Sequence, residues 1–206
     1  MKVLKTLSTM FLLLLVAYSL PAFAGTVGMQ FNGTPTGNGY SGVSTYPYNL
    51  SINGGSNQWM MCISYNEHVT GGETWQATPM SVSAYGALIG DAQKANELAW
   101  LFTLAMGDGG ANSDVNAVAW NINEGAPGLS PTAQLLYNQA TSMTTFPSFA
   151  TVVVYVPIDG TQSWNGEVPQ TFLGSTPEPG TLTLFGSGLV GLLGHLGWRR
   201  RSLARG

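Results

Sequence analysis

The chain has 206 residues, a formal net charge of −3 and a single cysteine. Six of its seven basic residues sit in the two ends, so between Gly25 and Ser175 Lys94 stands alone against nine carboxylates, a charge of −8. Such a body repels nucleic acid and anionic membrane surfaces and offers no phosphate clamp, and one cysteine excludes an internal disulfide.

Residues Met1 to Ala24 read as a secretory signal peptide: Lys2 and Lys5 form a positive start, Phe11 to Ala17 an apolar stretch, and Ala22-Phe23-Ala24 a small-x-small cleavage site. The segment from Gly25 to Ser175, about 150 residues, is the length of one domain. Within it Val27 to Phe31 alternates and reads as an edge strand, and the stretch onward through Gly42 is turn chemistry. Tyr46 to Ile52 and Gln58 to Tyr65 are strand-like runs joined by Asn53-Gly54-Gly55-Ser56-Asn57, which predicts a hairpin. Glu73 to Thr78 reads as a short strand.

The period then changes. From Asp91 to Met106, Ala95, Leu98, Ala99, Phe102 and Ala105 recur at three- and four-residue steps, an amphipathic helix ended by Gly107. A second helix is expected after Ser113 as N-cap, stopping near Gly125, and a third after Ser130, with Pro131 at its first position. Strand character returns at Ala150 to Val156 and again at Gln170 to Leu173. Strands, then helices, then strands predict an α+β fold, an antiparallel sheet with a helical insertion.

The last thirty residues differ from everything before them. Pro177-Glu178-Pro179-Gly180 is followed by Thr181 to Trp198 without a charged residue, then Arg199-Arg200-Arg201 and Arg205. Eighteen helical residues span about 27 Å, close to a bilayer core of about 30 Å, so 181–198 is expected to be a transmembrane helix. Basic residues after the span place the body on the non-cytoplasmic side. The order Pro177, Glu178, Pro179, apolar span, arginine cluster resembles the PEP-CTERM sorting signal of Gram-negative bacteria. The resemblance implies that a membrane-embedded exosortase cuts near Pro177-Glu178-Pro179 and that the body moves to the cell surface or exopolysaccharide matrix. Domain limits follow as 1–24, 25–175 and 176–206.

The body offers little catalytic material. His68 is its one histidine and follows Glu67; neither it nor Cys62 has a catalytic signature around it. Glu67 and Glu73 are near in sequence, as paired carboxylates would be, but read as solvated turn residues. Cys62 lies among Trp59, Met60, Met61 and Ile63 and reads as a small buried hydrophobe. The loop up to Asp114 supplies oxygen ligands of the hard kind that calcium takes, Asp108, Asn112 and Asp114, in a spacing that is not an EF-hand. Trp164, in a polar turn, is the candidate for stacking on a sugar ring.

Cys62 on an apolar strand, then a helical insertion, then Val115-Asn116-Ala117-Val118-Ala119-Trp120, also resembles the thioester domains of Gram-positive surface adhesins. Those join a strand cysteine to a glutamine four residues before a tryptophan; Asn116 stands at that position and is one methylene shorter. The sequence thus reads as a non-enzymatic exported surface or matrix protein without a cofactor. The alternative is an adhesin-like binding module, for polysaccharide or through the Cys62–Asn116 pair.

Overall fold

The computed structural model describes residues 25–35, 39–107, 113–163 and 167–176. The signal peptide, the apolar run 181–198 and the arginine cluster lie outside them. Among the described residues no helix is long and apolar enough to cross a membrane.

Six strands close into an antiparallel barrel: β1 (Val27–Phe31), β4 (Tyr48–Ile52), β5 (Asn57–Cys62), β8 (Phe172–Ser175), β7 (Val152–Pro157) and β6 (Thr74–Ser81), in that order around the ring. Two-residue strands β2 (Gly39–Tyr40) and β3 (Val43–Ser44) make a separate small hairpin. Four helices connect β6 to β7: α1 (Val82–Ile89), α2 (Ala92–Gly107), α3 (Ser113–Glu124) and α4 (Pro131–Ser142). The expected α+β arrangement of antiparallel sheet and helical insertion is therefore present, with the sheet closed on itself.

Closure corrects one expectation. β1 is not an edge strand: it pairs with β4 on one side (Met29↔Ile52) and β6 on the other (Met29↔Trp75). The expected hairpin of β4 and β5 forms, in the register Asn49↔Trp59, and Asn53 takes a positive φ of 50° in its turn. The hairpin of β2 and β3 falls in a stretch that reads as turn chemistry alone.

Helix α1 has no counterpart in the sequence reading. Ser81 caps its start, accepting from the Ala84 amide, and Gly90 ends it in the left-handed conformation. Asp91 accepts from the Lys94 amide and caps α2. α3 begins at Ser113 itself, while Ser130 caps α4 and Pro131 takes its first turn as expected.

Strand alternation splits the apolar residues into two cores. Met60 and Cys62 of β5 point into the barrel, where they meet Met29, Leu50, Trp75 and Phe172. Met61 of β5, Val152 and Val154 of β7 and Leu173 of β8 point outward and pack under Leu98, Phe102 and Val118 of the helices. Trp120 crosses from one layer to the other: it grows from α3 yet packs with the barrel interior. Trp59 has the outward parity but no helix over it, and is 56% exposed.

Gly86 lets α1 and α2 lie close together. A Cβ there would come within 2.9 Å of the Ala92 Cα and 3.2 Å of the Ala95 Cβ. Alanine in a helix interior ordinarily gains about 1 kcal/mol over glycine. Because the nearer obstacle is main chain, Gly86→Ala is expected to lower the thermal midpoint despite that gain, and Gly86→Val to lower it further. A raised midpoint for the alanine variant would refute the close approach.

Candidate functional site

The residues singled out by sequence meet where the chain leaves β5. Beyond Cys62 the Ile63 amide still bonds the Thr171 carbonyl at 3.0 Å, but most of the main chain from 62 to 67 is held by side chains. Asn116 is fully buried; its Nδ2 donates to the Cys62 carbonyl at 2.8 Å and its Oδ1 accepts from the Tyr46 amide at 2.7 Å. Asn123 donates to the Ile63 carbonyl at 2.8 Å. Glu124 Oε2 accepts from the amides of Tyr65 and Asn66, both at 3.0 Å. From the barrel side, Gln170 donates to the Ser64 carbonyl at 3.2 Å and to the Glu67 carbonyl, and the Thr171 amide donates to Ser64 Oγ at 3.1 Å.

Asn116, Trp120, Asn123 and Glu124 are spaced i, i+4, i+7 and i+8, so they share one stripe of α3. Trp120 packs edge-on against Tyr65 with centroids 5.3 Å apart. The apolar member of the stripe enters the barrel and the polar members hold the chain around it. Asn123, Glu124 and Gln170 were not candidates in the sequence reading. Their signal was present in the helical stripe that already contained Asn116 and Trp120.

The structure therefore brings Cys62 and Asn116 together, but through the cysteine's main chain. The thiol donates to the Ser64 carbonyl at 3.1 Å. Both heteroatoms of the Asn116 amide are already engaged with backbone. Burial, with smaller contributions from the carboxylates of Glu124 and Glu67, pushes the Cys62 thiol from 9.0 up to about 12, against the opposing effects of Trp120 and the Ser64 backbone. A thiol so placed is a poor nucleophile. Glu67 itself is held above the ordinary carboxylate range, chiefly by burial and then by Glu124.

A cavity of about 450 Å³ opens beside this region, lined by Phe31, Tyr48, His68, Val69 and Gln170 among others. Tyr48 lines it with its hydroxyl donating to the Ser44 carbonyl. Glu73, read from the sequence as a solvated turn residue, is instead buried and accepts from the Thr70 amide at 2.8 Å. Asp114 accepts from the Ser130 hydroxyl at 2.9 Å, tying α3 to the cap of α4. Asp108, Asn112 and Trp164 lie outside the described residues, as do Pro177, Glu178, Pro179 and Arg199 to Arg201. Among the described residues no group of three or more His, Cys, Asp or Glu is placed to hold a metal ion.

Two outcomes follow from this geometry. Asn116→Ala removes the side chain that bonds the buried Tyr46 amide and Cys62 carbonyl, so urea unfolding should show a loss of up to roughly 6 kcal/mol, since each bond lost to a buried group costs about 1–3 kcal/mol. A loss near zero would mean the amide pins nothing. The second outcome concerns pH. The folded chain disfavours the Cys62 thiolate, so its contribution is intact below pH 9 and drains away as pH rises toward 12. Tyr85 and Tyr155, each pushed up to about 12 by burial, act in the same direction. Cys62→Ala should leave a shallower fall in stability over that window, and an unchanged alkaline slope would show the thiol already ionised or exposed.

Comparison with known proteins adds two findings. A solved N-terminal thioester domain of a surface protein from Clostridium perfringens superposes with a TM-score of 0.44 and 10% sequence identity, over 73% of this chain and 98% of that one. No curated protein matches the sequence. The PEP-CTERM protein-sorting motif matches residues 175–201. From the final residue of its last strand onward, the chain thus carries the sorting signal of an exported, membrane-anchored precursor that exosortase processes for the cell surface.

Proposed function

We propose that the chain is a non-enzymatic surface or matrix protein, delivered as a membrane-anchored precursor and released as a closed barrel with its helical layer. The observation that carries this reading is the place of the sorting motif. It begins at Ser175, the final residue of β8. Ser175 still pairs with Val152, and the Thr176 amide donates to the Thr151 carbonyl at 2.8 Å. A cut near Pro177-Glu178-Pro179 would therefore fall beyond the last main-chain hydrogen bond among the described residues and break none of the described ladder. What leaves the membrane would be a finished fold with its core intact.

The buried thiol and the engaged Asn116 amide favour a structural role for that pair over covalent chemistry. Intact mass settles the matter, because a Cys62–Asn116 thioester would lower the mass by one ammonia. The expected mass is that of the unmodified mature sequence.

For processing, material recovered from the cell surface should yield no peptides from Thr181 to Gly206 by mass spectrometry. Deleting the exosortase should retain those peptides in the membrane fraction. Surface molecules that all keep the tail would sink the release and leave a permanent anchor.

A further inference from the structure

The barrel has one side that the helices leave bare. The core under the helical layer includes no residue of β1 or β4. Strand register fixes which outward side chains are neighbours there. Asn32 follows β1, and its main-chain amide donates to the Asn49 carbonyl at 2.7 Å; Asn49 in turn lies opposite Trp59. The next row along the strands is Thr74, Gln30, Ser51 and Asn57, each opposite the one before. A third row sets Gln76 opposite Gly28. By strand alternation these positions all face away from the barrel interior. None carries an ionisable side chain, in a body whose charge is −8.

Amides and hydroxyls make up these rows, around a single ring. Asn32 Nδ2 donates to Asn57 Oδ1 at 2.8 Å and to Ser51 Oγ at 3.3 Å, which ties the first row to the second. The side-chain amides of Gln30, Asn49 and Gln76 make no hydrogen bond within the described residues. Among those residues Trp59 is the one exposed aromatic side chain. At the far corner Gly28 has no side chain, and a notch of about 200 Å³ opens there between Asn53, Thr74 and Gln76. Two strands and four residues separate Trp59 from Gly28, which at about 4.8 Å per strand and 3.3 Å per residue is about 16 Å.

We propose that this face binds a neutral polysaccharide, with the Trp59 indole stacked on one sugar ring and the amide rows holding hydroxyls beyond it. A sugar hydroxyl both donates and accepts, and an asparagine or glutamine amide answers both from one plane. A carboxylate only accepts and an ammonium only donates. The C–H face of a sugar ring is apolar and suits an indole, whose N–H can stay in water. Charge agrees with this ligand. The body repels polyanions, uronate chains included, and the bare face has no ionic group that a neutral chain would have to desolvate. A stable protein partner would need an apolar centre to the patch, and here one indole stands among amides. The distance from indole to notch is longer than one sugar ring, so the ligand is a chain of them. The inference goes beyond delivery to the surface and stands whether or not the tail is cut.

The test uses the full chain, tail included, in phosphatidylcholine nanodiscs, with biolayer interferometry on sensors carrying dextran, mannan, galactan or alginate. At least one of the neutral polymers should bind, and alginate should not. Binding should survive a rise from about 0.1 M to about 1 M sodium chloride, over which the screening length shrinks from about 10 Å to about 3 Å. Trp59→Ala should weaken binding about tenfold or more, and Trp59→Tyr should restore most of it. Asn49→Asp, which sets a charge beside the indole, should weaken it as well. Leu135→Ala, at an exposed apolar residue of α4, should leave it unchanged. Circular dichroism of the Trp59 variants should match the parent, since that side chain belongs to neither core. Binding to no neutral polymer, or binding that survives both Trp59→Ala and Asn49→Asp, would overturn the proposal. So would tighter binding to alginate. Self-association in sedimentation that Trp59→Ala abolishes would assign the face to a second copy and overturn the glycan. A chain that stays outside the nanodiscs would count against the delivery reading alone, and its binding would be read in solution.

Discussion

Where β5 ends, the Ile63 amide still bonds the Thr171 carbonyl but the main chain beyond it leaves the ladder, and a buried amide or carbonyl without a partner is costly. α3 resolves this. Asn116, Asn123 and Glu124 supply four of the missing hydrogen bonds to residues 62–66. The same stripe drives Trp120 into the barrel. Removing α3 would therefore open the barrel mouth and strand its backbone together. The helical layer and the barrel are two parts of one solution. Tyr46, bonded through its amide to Asn116 and packed edge-on against Phe102 of α2, extends that solution to the strand next door.

Burial of a polar amide at the centre of this joint has a consequence for chemistry. Asn116 is held by two short bonds to main chain, and Cys62 donates to Ser64. Each group is satisfied locally, so neither is poised toward the other.

Much of this architecture was legible in the sequence. Asn53-Gly54 announced the hairpin, the apolar period of 95–105 announced α2, and Ser130-Pro131 announced α4. α1 was hidden because it follows β6 without a break: Val82, Ala84, Tyr85, Ala87, Leu88 and Ile89 are apolar enough for either period, and only the Ser81 and Gly90 caps distinguish them. Closure of the sheet was hidden for another reason. Whether β1 ends a sheet or joins β6 depends on register between residues about fifty positions apart, which no local pattern encodes. The nearness of Cys62 and Asn116 could be read from motif order. That the amide would seek a carbonyl rather than the sulfur could not, because it depends on how side chains pack around Trp120.

A ring of six strands has no first and no last member. Open sheets on exported proteins present a rim of free amides and carbonyls on which a neighbouring copy can add its own strand and begin cross-β growth. Molecules accumulating at high density outside the cell, beyond the reach of cytoplasmic chaperones, would be most exposed to that fate. Here each barrel strand is flanked on both sides by its own chain. Crowding then finds no free strand edge on the barrel, where a neighbouring copy could otherwise extend the sheet.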